Sequence, residues 1–399
     1  MKKIVIAPDS FKENLTSLQV AKAIETGIRR VLPNVECIKV PMADGGEGTV
    51  QSLVDAVGGK FIRKQVTGPL GQPVKARYGL LADGETAVIE MAEASGLPLV
   101  PAAKRDPLKA TTYGTGELIL DAVKRGARNI IIGIGGSATV DGGAGMAQAL
   151  GVKFLNAKNR EIKQALGGGM LNTIASIDIS QRDPRIRKTR IVIASDVDNP
   201  LAGRKGAAHV FGPQKGATPA QVKMLDDNLK HFGKLIKSDL NIAVTNLAGA
   251  GAAGGLGAGL VAFAGAKMQS GVDIVIKATG LDLQLPGADL VITGEGQVDF
   301  QTAFGKTPAG VAKAAKKARV PVIAIGGGLA DDARGVFEYG IQGLDAAVAR
   351  PMPLDHALDN ASQYLANAAE RSLRMILLGK QMAKPKSKKR KVSKVKSRK

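Results

Sequence analysis

Short apolar runs recur along this chain, each ending in a stretch rich in glycine, acids and hydroxyls before a helical pattern begins. Residues 3–7 are the first such run. After a loop at 8–15, Val20, Ile24, Ile28 and Val31 fall on one face of a helix predicted over 17–31, with Thr16 or Ser17 as its cap. Residues 37–40 lead in the same way into 43–50 and a helix through Val57. A buried strand at 129–134 runs into 135–146, and one at 191–194 ends at Asp196, Asp198 and Asn199. A further strand, 290–293, opens onto a loop carrying Glu295, Asp299, Gln301, Thr302 and Lys306, ahead of a helix with Pro308 in its first turn. This alternation predicts an α/β protein whose chemistry gathers past the C-terminal ends of its strands. The plain alternative for each loop is a solvated turn, but the repetition of acids at the same end of successive strands argues for a shared site.

The pattern changes near Gln65. Residues 66–81 and 86–91 read as antiparallel strands with turns at Gly71-Gln72 and Asp83-Gly84, which marks entry into a second domain. Helices are expected at 114–124, 219–236 and around 356–378, a weak strand at 241–244, and irregular polar chain over 158–190. The strand–loop–helix rhythm returns at Asp289.

With 399 residues the chain exceeds what one core usually covers. It has no apolar run long enough to span a bilayer, and the apolar stretch after Lys2-Lys3 is too short for a signal peptide. A single cysteine, Cys37, rules out an internal disulfide and points to a reducing, cytoplasmic setting, with the thiol expected to be buried. Of the formal net charge of +21, eleven positive residues without a single acid lie in 380–399, leaving +10 for the body. That tail has no periodicity and is expected to be disordered, open to non-specific nucleic-acid or polyanion contact or to reading as a nuclear-import signal. Aromatics are only 3% of the chain, so base stacking has little to work with.

Glycine, at 50 residues, collects in the loops. Gly249–Gly254 spells G-x-G-x-x-G, but a nicotinamide site also needs a firm strand before it and an acid about 20 residues on. Gly305-Lys306-Thr307 resembles the end of a P-loop, yet Phe300 stands where its first glycine would be. Lys306 before a helix N-terminus still suits phosphate. Gly136, Ser137 and Thr139 can bind a carboxylate or phosphate. His209, His231 and His356 lack metal-ligand spacing. Many acids, few histidines, a few lysines and glycine-rich anion sites suit Mg-assisted phosphoryl transfer.

Seven collinear segments carry a closer likeness: 7–12, 43–49, 135–146, 195–201, 211–217, 249–255 and 293–308. Together they resemble the class I, bacterial-type glycerate kinase family over residues 1–378. The resemblance implies ATP-dependent, Mg2+-assisted phosphorylation of D-glycerate in organic-acid metabolism, at the 2-hydroxyl by preference, with the 3-hydroxyl as the alternative. It implies two α/β domains, one a Rossmann- or flavodoxin-like parallel sheet, with an interdomain cleft. Residues 1–65 and 286–380 would form the first domain, 66–285 a central insertion, and 381–399 the tail. Asp196 or Glu295 is then the proton acceptor or a metal-coordinating group, with Asp299 beside them. Lys306 and Lys12 neutralise phosphate or carboxylate. Asp9, Ser10, Gly136, Ser137, Thr139, Gln301 and Thr302 bind substrate or phosphate, and Asp44 and Glu47 shape the cleft or hold Mg2+. Two departures from the family pattern stand out: Glu13-Asn14 in place of Gly-Ser, and Val140 where asparagine is common. A NAD-dependent hydroxy-acid dehydrogenase, a nucleic-acid-associated protein acting through its tail, and a homo-oligomer of the kinase remain open at this point.

Overall fold

A computed structural model of the chain describes residues 1–12, 14–303 and 306–383, with Ala303 described in its backbone only. The strands of its two large sheets are, in chain order, β1 (Lys3–Ile6), β2 (Glu36–Lys39), β3 (Gly59–Thr67), β4 (Pro73–Leu81), β5 (Thr86–Glu90), β6 (Asn129–Gly133), β7 (Arg190–Ala194), β8 (Lys267–Gln269), β9 (Leu290–Thr293), β10 (Val322–Gly326) and β11 (Gly343–Ala346). The five-stranded sheet has the order β11-β10-β9-β1-β2 and is parallel throughout. The six-stranded sheet has the order β8-β7-β6-β5-β4-β3; β8 to β5 are parallel, whereas β5–β4 and β4–β3 are antiparallel.

The central strands β1, β9 and β10 are covered on both faces, so they are apolar at nearly every position, not at alternate ones, whereas the edge strands β2 and β11 carry charged residues. Ile4 and Ile6 of β1, with Leu290 and Ile292 of β9, pack against helices Ser17–Arg29 and Ala361–Met382. Val5 and Val291 face the opposite way, toward helices Thr49–Val57, Gly271–Thr279 and Thr307–Lys317. That second core also takes in Leu81 and Val88 of the six-stranded sheet, so one apolar layer runs between the two sheets. The outer face of the six-stranded sheet, Ile89, Ile130, Ile132, Ile191 and Ile193, is covered by helices Tyr113–Lys124, Ala144–Ala149 and Leu256–Ala264. A further core surrounds Phe154, Phe232 and Phe263.

Several expectations need correction. The antiparallel strands begin at Gly59, because the chain turns directly out of helix Thr49–Val57 through the positive φ of Gly58 and Gly59. Residues 241–244 form no strand; Asn241 instead ends helix Pro219–Leu240 in a left-handed conformation. The stretch 158–190 contributes Ile174–Asp178, which pairs with Lys153–Asn156 as a hairpin. The final helix is two, Leu354–Asp359 and Ala361–Met382, and the second continues past the expected start of the tail. Cys37 is only half-buried. The tail from residue 384 onward and Glu13 lie outside the described residues. No helix among the described residues is long and apolar enough to cross a membrane.

The two sheets meet where the loop after β2 touches the start of helix Gly271–Thr279. A Cβ at Gly271 would stand 1.9 Å from the carbonyl oxygen of Asp44. Gly271→Ala should therefore destabilise the chain by about 1–3 kcal/mol, read from urea midpoints. Gly335→Ala, where a Cβ meets nothing within 4 Å, should stay within about 0.5 kcal/mol of the parent.

Candidate active site

The order of the five-stranded sheet reverses between β1 and β9: the chain leaves β1 toward β2 and returns on the other side of β1. Open α/β sheets place ligands in the crevice at such a reversal. Here the strand ends are tied together, with Asp9 N donating to Gly294 O (2.8 Å) and Thr293 Oγ1 donating to Ala7 O (2.8 Å). Asp9 and Glu295 are thereby delivered side by side.

Asp9 is 6% exposed. Ser10 N donates to its Oδ1 (2.6 Å) and Thr307 Oγ1, in the first turn of helix Thr307–Lys317, donates to its Oδ2. Burial, reinforced by Asp44 and Glu295, pushes the Asp9 carboxyl up to about 7. Burial also raises Glu295, against the pull of Lys306. Lys306 Nζ lies 3.5 Å from Glu295 Oε2 and 3.7 Å from Asp299 Oδ1. Asp299 is fixed by Thr302, whose N–H donates to Asp299 Oδ1 (3.0 Å) while its hydroxyl accepts from Asp299 N (3.0 Å). Loops after β2, β6 and β7 form the facing wall. Asp196 stands there, its pKa raised by burial and by the charges of Asp44 and Asp273.

Two cavities flank this seam. One, of about 490 Å³, is lined by Asp44, Gly136, Ser137, Asp196, Lys215 and Lys306. The other, of about 610 Å³, is lined by Asp9, Ser10, Lys12, Glu295 and Asp299 together with an apolar wall of Phe11, Met352, Leu354, Leu358 and Tyr364. Asp44 and Lys306 line both. The fold thus brings most of the expected site residues together. Glu47 is exposed on a separate small depression that it shares with Ser10 and Lys12. Gln301 is exposed and lines neither cavity. Thr139 is fully buried, and it is the Thr139 carbonyl that acts, accepting from Lys215 Nζ (2.7 Å).

Sequence reasoning passed over Lys215 and Thr307 as site residues, and also Asp141. Asp141 is wholly buried and accepts from Thr112 N, Thr112 Oγ1 and Gly143 N, which folds the loop that carries Ser137. An acid amid six small or apolar neighbours was the available signal. Val140 is buried among apolar side chains, so an asparagine contact there is not missed by the cleft. Gly249–Gly254 does not follow a strand, and a Cβ at Gly254 would stand 1.9 Å from Thr139 O. Its glycines serve close packing, Gly254 against the loop after β6, Gly251 against Pro200 and Gly249 against Met268. The histidines lie outside both cavities; His231 Nε2 meets Ile174 O at 2.8 Å and His356 Nε2 meets Tyr364 Oη at 2.9 Å.

Among the described residues no group of three or more His, Cys, Asp or Glu side chains could hold a metal ion by itself. Mg2+ arriving with a nucleotide needs only one or two carboxylates, since phosphates and water complete its shell. Glu295 Oε1 is buried with no hydrogen-bond partner among the described residues, and Asp9 is crowded by two neighbouring carboxylates. A cation would relieve both, so the residues present fit one.

An α/β chain that sets clustered carboxylates and lysines in a crevice at its strand ends has the form of a small-molecule phosphotransferase. The model of the glycerate kinase family matches residues 4–377. The chain is 56% identical over 369 residues to the glycerate kinase of Halalkalibacterium halodurans, covering 92% of this chain and 97% of that one. It is 51% identical over 377 residues to the glycerate 2-kinase of Escherichia coli K12, covering 94% and 98%. A solved structure from Salmonella typhimurium LT2, provisionally assigned as glycerate kinase 2, superposes with a TM-score of 0.88 at 50% identity, covering 95% of this chain and 99% of that one. The chain belongs to the glycerate kinase family and is an enzyme, a kinase, for which that family implies ATP as phosphate donor.

The raised pKa of Asp9 makes the free protein pH-sensitive. A carboxyl whose folded pKa lies above its unfolded one favours the fold while protonated, and that contribution is lost as pH rises through the folded value. Between about pH 4 and about pH 7 the Asp9 contribution should decline. Melting temperatures across that range should fall less steeply for Asp9→Asn than for the parent.

Proposed function

We propose that this chain phosphorylates D-glycerate from ATP at the 2-hydroxyl, giving 2-phosphoglycerate, as a cytoplasmic enzyme of organic-acid metabolism. The observation that carries this reading is the seam at Asp44 and Lys306, common to two cavities. One cavity has the apolar wall a purine needs; the other, smaller and faced by Asp196, suits a short hydroxy acid. The Escherichia coli relative at 51% identity, named for 2-phosphorylation, supports the choice of hydroxyl. On this reading the five-stranded sheet (with the ends of the chain) and the six-stranded sheet are two α/β domains, the second inserted in the first, and the cleft lies between them.

Phosphoryl transfer asks for positioning and charge neutralisation more than covalent chemistry. Glu295 and Asp9 would hold Mg2+ together with the phosphates and water, and the ion would supply charge neutralisation on the phosphates. Lys306, paired loosely with Glu295 and Asp299, is free to turn to the transferring phosphoryl group. Asp196 accepts the proton of the attacking hydroxyl, and the upward shift that burial gives its carboxyl makes it a stronger base than an exposed aspartate. Lys12 reaches the nucleotide side. Ser10, Thr302 and Thr307 position acids.

Product NMR after incubation with ATP, MgCl2 and D-glycerate should show 2-phosphoglycerate; 3-phosphoglycerate would redirect the hydroxyl assignment, and no phosphorylated product would refute the reading. Asp196→Asn should lower kcat by about 10²–10⁴ with an unchanged far-UV CD spectrum, and near-parental turnover would remove Asp196 from the role. Deleting residues 384–399 should leave kcat and KM unaltered, which a tail-dependent activity would not.

A further inference from the structure

Lys215 is the group in this molecule that the acid cluster does not explain. It lies in a short turn after helix Ala207–Phe211, ahead of Gly216, and is 2% exposed. Its Nζ donates to Ser137 Oγ (2.5 Å) and to Thr139 O (2.7 Å), and both partners are uncharged. Among the described residues no carboxylate reaches ion-pair distance of it. An amine has two N–H groups and these two acceptors use them; an ammonium has a third, which the protein leaves unmatched. Because Lys215 lines the cavity of about 490 Å³, the unmatched direction belongs to whatever enters there. Burying a lone cation is costly unless an anion joins it.

We propose that Lys215, with Ser137 beside it, is the receptor for an oxyanion of the substrate bound in this cavity: the carboxylate of the hydroxy acid or a phosphate of the nucleotide. This deepens the kinase reading and rests on it for the identity of the ligands. Burial lowers the Lys215 pKa to about 7, while Asp141 nearby opposes that shift. The other charged groups around it are Arg105, which donates to Gln214 O, and Asp44, Asp196 and Lys306 on the same cavity wall. Above that pH the free side chain is largely neutral. Anion binding recharges it, so a proton enters the protein with the ligand.

The test is calorimetric titration of the full chain at about pH 8 in buffers of contrasting ionisation enthalpy. D-glycerate, ADP and inorganic phosphate are titrated separately. One of the first two should bind with uptake of up to about one proton, and which one does so names the source of the oxyanion. Inorganic phosphate should show the same uptake more weakly. Lys215→Met, which replaces a buried amine by an apolar chain of similar length, should abolish uptake and weaken that ligand by about 10- to 100-fold. The other ligand should bind as before. Binding without proton uptake in the parent, or parental affinity for all three probes in Lys215→Met, overturns the proposal. Should Lys215→Met fail to fold, the parent's uptake decides alone. A parent that makes no phosphorylated product yet takes up a proton with inorganic phosphate would refute the kinase reading and retain the Lys215 site.

Discussion

The cleft exists because the backbone after β2 rests directly on the backbone that begins helix Gly271–Thr279, with no side chain between Asp44 O and the α-carbon of Gly271. A contact of this kind is rigid, since backbone cannot change rotamer to relieve it. It locates Asp44, which follows β2 of the five-stranded sheet, relative to Asp196, which follows β7 of the six-stranded sheet. Behind it, the shared apolar layer of Val50, Leu53, Val88, Val272 and Val275 fills the space between the sheets. Burial of such residues contributes about 25 cal/mol per Å². The seam therefore chooses the geometry and the core behind it holds that geometry in place.

What is held in place is electrostatically unfavourable by itself. Asp9, Asp44 and Glu295 approach one another, and Lys306 stands at 3.5 and 3.7 Å from Glu295 and Asp299, beyond tight charge-assisted contact. Across the crevice Lys215 is buried with no anion at ion-pair distance among the described residues. Each group would be cheaper in water, and each becomes favourable when a partner of opposite sign arrives. Sites that keep charges unpaired in the free protein have stability to gain on binding, and perturbed carboxyls and amines in a crevice mark where that gain is concentrated.

Much of this was legible in the sequence. The strand at Leu290–Thr293 and the helix from Thr307 follow from a buried apolar run and a Pro-marked helix start, and the recurring acids at strand exits located Asp9, Asp44, Asp196 and Glu295 on one side of the fold. The antiparallel turn at Gly71-Gln72 was equally plain. What the pattern hid has identifiable causes. Lys215 sits in a turn, where a lysine ordinarily means solvent, and its burial comes from residues 78 and 76 positions away. Strands β8 and β11 are short, and β11 carries Asp345, whose carboxylate is taken by Arg371 and Ser372 from the final helix, so no local apolar signal announces it. The glycine fingerprint at 249–254 was weak in the sequence for want of a firm strand before it, and the structure gives Gly254 another reason to lack a side chain, its close approach to Thr139 O.

Lys306 links the two cavities to the core between the sheets. It occupies the N-cap position of helix Thr307–Lys317, whose first residue, Thr307, holds Asp9. One short segment therefore presents a donor to the buried acid and a cation to both cavities. Any movement of that helix start would shift the hydrogen bond on Asp9 and the reach of Lys306 together. Helix Thr307–Lys317 packs through Val311, Ala312 and Ala315 into the layer between the sheets, the same layer that helix Gly271–Thr279 occupies. A change in how the two sheets sit would thus be felt at Asp44 through Gly271 and at Lys306 through Thr307. The residues common to both cavities are the ones anchored to the shared core, so the geometry most sensitive to the approach of the two sheets is the one at which a phosphoryl group would have to cross.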